Sequence, residues 1–192
     1  MLVVTSAVGQ EMGSMVYALS DGISSDYYLI DIGDFEAAMN LLPKEANVRG
    51  VFFTHGHHDH IFGLHKLKEA FPDCVVYASE ECARMLASAK LNLSMYLGMP
   101  MEYAGEVSIL NEGDHLPLFD DIVLMVMATP GHNPSCLCFE VENYLFTGDS
   151  YIPGVKVVTN LPGGSKKQAQ ESVVKILELG EGKVICPGHS IP

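Results

Sequence analysis

Positive charge is scarce in this chain. Eleven Lys and Arg stand against 24 Asp and Glu, a formal net charge of −13. Phosphate contacts need clustered cations, so general nucleic-acid binding is not expected. The two tight basic pairs, Lys66 with Lys68 and Lys166 with Lys167, read as solvated helix faces. Long apolar runs are missing too: none approaches the ~20 residues of a membrane span, so no membrane partner is expected. The N-terminus, Met1 to Ala7, lacks the basic start and long apolar core of a secretory leader, which points to the cytoplasm. Cysteine is present but odd in number, at five, and no C-x-x-C occurs. A disulfide framework is therefore not expected, and reduced core thiols are the default. Cys136 and Cys138 on a strand, and Cys186 ahead of a Pro-Gly-His turn, are assigned to packing rather than to a metal.

What remains is a chain of 192 residues, 48% apolar and without a low-complexity tract, which fits one compact domain over residues 1–192. Its first part reads as strands at Leu2–Thr5, Met15–Leu19 and Tyr27–Asp31, with Asp21-Gly22 as a hairpin turn between the second and third. A short helix is expected over Phe35–Leu42, closed by Pro43. Gly50–Phe53 and Cys74–Ala78 read as buried strands, Ile61–Phe71 as a helix, and Ser79 as the cap of another. Further strands are expected at Val107–Leu110, Leu116–Phe119, Ile122–Ala128, Leu137–Val141, Tyr144–Thr147 and Lys183–Cys186. Ser165 and Gln168 have capping-box spacing at the head of a helix running to about Leu179. The chain thus divides into two β-rich halves, about 1–105 and 106–192, each carrying helices. Periodicity alone gives mixed α and β with a buried sheet.

Between a strand and a helix lies Thr54-His55-Gly56-His57-His58-Asp59-His60. His55 and His57, two apart on a loop, can present both imidazoles to one ion, while Asp59 and His60 turn towards a second point. Imidazole and carboxylate are ligands for zinc, and also for iron or manganese. Three turns later in the chain each put one more such group at a strand end: Thr129-Pro130-Gly131-His132, Thr147-Gly148-Asp149 and Pro187-Gly188-His189.

These four motifs, in this order and with Asp31-Ile32-Gly33 ahead of them, resemble the T-H-x-H-x-D-H signature and later ligand motifs of the metallo-β-lactamase-fold hydrolases, which include glyoxalase II. The match spreads over nearly the whole chain. The resemblance implies an α/β (α+β) fold, the four-layer αββα sandwich. It implies that His55, His57 and His132 hold one divalent metal, that Asp59, His60 and His189 hold a second, and that Asp149 bridges them. Zinc is the expected ion, with iron or manganese as alternatives. Asp31 and Thr54 are placed beneath the metal loop, although Asp31 alone reads equally well as a turn carboxylate or helix cap. Asn92 to Tyr103 is where such proteins build a pocket wall, here with Met95, Tyr96 and Met99, and Lys156 is the cation of a second wall segment. His58, His65 and His115 match no ligand position.

The implied chemistry is hydrolysis of a small ester-like substrate by a hydroxide shared between two metals roughly 3.5–4 Å apart, with Asp59 and Asp149 as the catalytic carboxylates. Details narrow the substrate. Many β-lactamases of the fold have Cys where Asp149 stands, and the flavodiiron proteins have Glu where His57 stands. The helical domain with which glyoxalase II grips glutathione is not seen after His189. Val157-Val158-Thr159-Asn160 replaces the Gly-Arg-x-Asp of the short glyoxalase-like relatives. A thioester or lactone of small size is therefore favoured as the small-molecule partner. The alternatives are a mononuclear iron enzyme resembling the persulfide dioxygenases, and a non-catalytic metal-binding relative of the fold.

Overall fold

In a computed structural model, which describes residues 1–10 and 12–190, the chain forms two facing sheets with helices outside each. The first sheet runs β1 (Val3–Val8), β2 (Met15–Ser20), β3 (Asp26–Ile30), β4 (Asn47–Phe52), β5 (Val75–Ala78) and β6 (Ser108–Ile109), in chain order. Pairing is antiparallel from β1 to β3 and parallel from β3 to β6. Helices α1 (Phe35–Met39), α2 (His58–Ile61), α3 (Leu64–Ala70) and α4 (Glu80–Leu86) fill its connections. The second sheet contains β7 (His115–Phe119), β8 (Ile122–Ala128), β9 (Leu137–Val141), β10 (Tyr144–Gly148) and β11 (Val184–Pro187), ordered β11-β10-β9-β8-β7. Only β10 and β11 are parallel, and α5 (Lys166–Leu179) connects them.

Strand side chains alternate between faces, and here each face finds its own core. Val16, Ala18, Leu29, Val51 and Val76 point outward to Leu64 and Leu67 of α3 and to Cys82 and Leu86 of α4. Tyr17, Leu19, Ile30 and Phe52, one residue out of step with them, point inward to Leu124, Val126, Phe139 and Phe146 of the other sheet. Met127, Cys138 and Leu145 face outward again, onto Ile176 of α5. Three apolar seams separate four layers, which is the αββα sandwich. All five thiols are free and buried: Cys186 lies in the seam between the sheets and Cys138 in the seam under α5.

Three local readings of the sequence are corrected. The Asp21-Gly22 turn is part of a longer loop, 21–25, because the Asp21 carboxylate accepts the N–H groups of Ile23 and Ser24 and delays β3 to Asp26. The Phe35–Leu42 helix stops at Met39 and continues only as turns. The Ile61–Phe71 helix is broken into α2 and α3. Ile32, just past β3, accounts for that break: its N–H donates to the His60 carbonyl and its carbonyl accepts from Gly63. A Cβ at Gly63 would press into the Ile32 carbonyl and side chain, so glycine permits this approach.

Phe52 is the centre of the inner seam, stacked on Tyr77 at 4.5 Å between centroids and edge-on to Phe139 at 5.7 Å. Phe52→Ala is expected to destabilise the fold by about 3–5 kcal/mol. Denaturant unfolding should show this as a lower midpoint at an unchanged slope.

Candidate metal centre

Every metal-binding residue type singled out in the sequence sits at one end of the sandwich. The loop 53–57 and α2 follow β4, His132 follows β8, Asp149 follows β10 and His189 follows β11. The two sheets are tied at this end by the Leu137 N–H, which donates to the Thr54 carbonyl at 2.7 Å. Three groups of donor atoms result, each with all atoms within 4.8 Å of one another: His55, His57 and His132; His55, His60 and Asp149; and Asp59, His60 and His189. Asp149 spans the middle. Its Oδ1 lies 3.5 Å from His60 Nε2, and its Oδ2 lies 3.6 Å from His132 Nε2 and 3.5 Å from His189 Nε2.

Each imidazole is held from behind. The Thr54 hydroxyl gives its proton to Asp31 at 2.7 Å, so its lone pair faces His55 Nδ1 at 3.1 Å. His60 Nδ1 donates to the same carboxylate at 2.8 Å. His132 Nδ1 donates to the Val158 carbonyl at 2.9 Å, and His189 Nδ1 to the Gly13 carbonyl at 3.1 Å. His57 Nε2 lies 3.5 Å from the Asn133 amide, leaving Nδ1 towards His132 Nε2 at 2.9 Å. Asp31 therefore orients two imidazoles, one from each outer group. The cap of α1 is Asp34, whose side chain accepts from Ala37. A glycine also shapes the site, since a Cβ at Gly188 would meet Asp149 Oδ1 and the His60 ring.

The residues present fit a cation. His55 Nε2, His60 Nε2 and Asp149 Oδ1 are buried without a hydrogen-bond partner among the described residues. Buried polar atoms are rarely left so, and a divalent ion satisfies lone pairs of this kind. Electrostatics agree with two unlike regions. Burial, with His60 and His57 alongside, holds His55 well below the usual imidazole range. Burial and His132 push His57 down to about 3, so both are neutral and ready to coordinate. At the other group, burial opposes charge on His60, but Asp59, Asp31 and Asp149 outweigh it and raise the ring well above its ordinary value. Hydrogen bonds to Asp149 and Asp59 raise His189 to about 10. Burial alone would raise both carboxylates, yet His60 and His189 hold Asp59 and Asp149 well below the usual range. Burial raises Cys186 and Cys136 to about 12, and neither thiol belongs to any of the three donor groups.

The wall residues divide. Lys156 lines a small cavity of about 30 Å³ against His132 and Asp149, with Ile152, Val155, Val157 and Val158. Met95 and Tyr96 lie on an exposed 3-10 turn, Ser94–Leu97, and Met99 just beyond it; none lines that cavity. Sequence reasoning did not reach Asn133, Ser14 or Ser135. Ser14 Oγ donates to the Asp59 carbonyl at 2.6 Å, and Ser135 Oγ accepts from Gly56 while donating to Asn133 Oδ1. Asn133 directly follows a ligand motif, which is the one signal that pointed to it.

The metallo-beta-lactamase superfamily model matches residues 14–189. Among solved structures, the BLEG-1 B3 metallo-beta-lactamase is similar at 26% identity and a TM-score of 0.88, over 98% of this chain and 92% of that one. TTHA1623, solved in a di-iron-bound form, is similar at 24% and 0.81, over 97% and 92%. ETHE1 from Myxococcus xanthus is similar at 22% and 0.74, over 98% and 76%.

Two outcomes are expected here. Asp31→Asn keeps an acceptor for Thr54 but turns an amide towards His60, so metal affinity should fall about 10–100-fold with the fold intact. Asp31 has φ 55, a conformation Asn tolerates. Isothermal titration alongside thermal melting checks this. Metal must also displace the protons held on His60 and His189. Apparent affinity should therefore rise steadily from about pH 6 to about pH 9, with protons released on loading. In the metal-free protein the same raised His189 adds stability below its ordinary value of 6.5, and that contribution is lost as pH climbs through about 10.

Proposed function

The chain belongs to the metallo-beta-lactamase superfamily, and we propose on that basis that it is a hydrolase using two divalent ions, zinc for preference, to cleave small thioesters or lactones. The observation that carries the reading is Asp149, whose two oxygens face histidines of both outer groups. His55, His57 and His132 would hold one ion, Asp59, His60 and His189 the other, and Asp149 both. When bound, the ions supply a water-derived nucleophile near neutral pH and polarise the acyl oxygen.

The chain's own residues do the rest. Asp59 Oδ2, 3.4 Å from His189 Nε2 and 3.7 Å from His60 Nε2, is placed to orient or receive a proton at the centre. Asp31 and Thr54 keep His60 and His55 in the tautomers that face the centre. Ile152, Val155, Val157 and Val158 give the small cavity beside His132 and Asp149 an apolar wall, against which the non-polar part of a small substrate would rest. Lys156 is the cation at this niche, and among the described residues it makes no ion pair or hydrogen bond. One cation in a chain of net charge −13 gives little purchase to a doubly anionic glutathione conjugate.

Metal-loaded protein is expected to hold two ions per chain and to cleave small, weakly charged thioesters or lactones with higher kcat/KM than S-D-lactoylglutathione. Asp149→Asn should lose at least about 10–100-fold in metal affinity or turnover. A stoichiometry fixed at one under excess metal overturns the dinuclear reading. A clear preference for the glutathione thioester overturns the substrate class.

A further inference from the structure

The first sheet ends at β1, whose outer edge pairs with no other strand among the described residues. β1, Val-Val-Thr-Ser-Ala-Val, is six residues long, carries no charge and no proline, and has Val3 and Val8 exposed. The other three sheet edges are blunted. β6 has two residues, β7 contains Pro117, and β11 is four residues ending in Pro187. Short strands, prolines and charges are how sheets prevent edge pairing, and β1 has none of these. In a chain of net charge −13, residues 1–9 contain no ionisable side chain.

The ladder tells which groups are free. β1 pairs with β2 in the register Val8 with Met15, and one step further the Gly9 N–H donates to the Ser14 carbonyl. In an antiparallel pair alternate residues exchange both bonds with their partner. Gly9, Ala7, Thr5 and Val3 therefore turn their main chain to β2, and Val4, Ser6 and Val8 turn theirs outward. Leu2 shares the outward parity, and its N–H does leave the sheet, donating to Glu142 Oε2 at 3.2 Å.

We propose that a second copy of this chain docks on this edge, β1 against β1 antiparallel about a two-fold axis at Ser6. Isologous pairing requires that residue i meet j whenever j meets i. With Ser6 opposite Ser6, Val4 faces Val8 of the second copy and Val8 faces Val4. All outward N–H and C=O groups of the three residues are then satisfied, and the two sheets join into one. Any other symmetric register leaves some of them unpaired. The occupant is a second copy because β1 matches itself in length, in the parity of its outward groups and in lack of charge.

Sedimentation or light scattering across a concentration series tests this on the full, metal-loaded chain. The expected mass is twice 20.9 kDa at the upper concentrations. Added salt should strengthen association, because it screens the net repulsion while the contact itself is uncharged. Ser6→Lys brings two charges together at the axis and should weaken the dimer by at least about tenfold, with the melting profile and metal content of the monomer kept. Ser6→Cys should cross-link under mild oxidation, since directly opposed residues of this kind have Cα atoms about 5.5 Å apart. Thr5→Cys, off the axis, should not. A monomer at every concentration overturns the proposal. So does a dimer that survives Ser6→Lys, or one in which Thr5→Cys cross-links as well as Ser6→Cys.

Discussion

The candidate site depends on one buried carboxylate. Asp31 stands at the end of β3 with φ 55, and its two oxygens accept the Thr54 N–H, the Thr54 hydroxyl and His60 Nδ1. A buried carboxylate is tolerable only when its lone pairs are filled by strong donors. Here filling them joins the end of β3 to the end of β4 and points two imidazoles at the centre. The same residue thus meets its own solvation need and settles the geometry of the metal loop. Ile32, next in the chain, carries the arrangement into α2 through its bonds to His60 and Gly63.

The architecture explains why so many donors can share one small space. Strands of both sheets end on the same side, and the Leu137–Thr54 bond holds the two ends in register. The three apolar seams supply the rigidity. Histidines that would repel one another when charged are kept apart in charge state instead: His55 and His57 neutral by burial, His60 and His189 charged by their carboxylates. Metal bound at these groups would displace those protons.

Much of this was legible in the residues. The strands alternate faces cleanly enough that most were placed within a residue or two, and the four ligand motifs stood out by order and type. What failed was where tertiary contacts overrule local pattern. The helical spacing of Ile61 to Phe71 gave no hint that Ile32 would reach in and part α2 from α3 at Gly63. Asp31 reads in sequence equally well as a turn carboxylate or helix cap, and only the fold shows it under the metal loop, with Asp34 capping α1. The cavity beside His132 is lined by Ile152 and Val155 to Val158, of which only Lys156 stood out in the sequence, because apolar residues carry no chemical signature of their own.

Two of the five orienting contacts behind the imidazoles come from main-chain carbonyls, those of Gly13 and Val158. A carbonyl has no identity in the genetic code. Residue 158 can therefore change in related sequences while the contact persists, and a short deletion near either loop can abolish a contact without touching any ligand. Alanine at 158 would leave the carbonyl in place, whereas at Gly13, with φ 71, any side chain strains the backbone itself. The proper perturbation is one of path length: inserting or removing a residue in either loop withdraws the acceptor and frees the ring to turn.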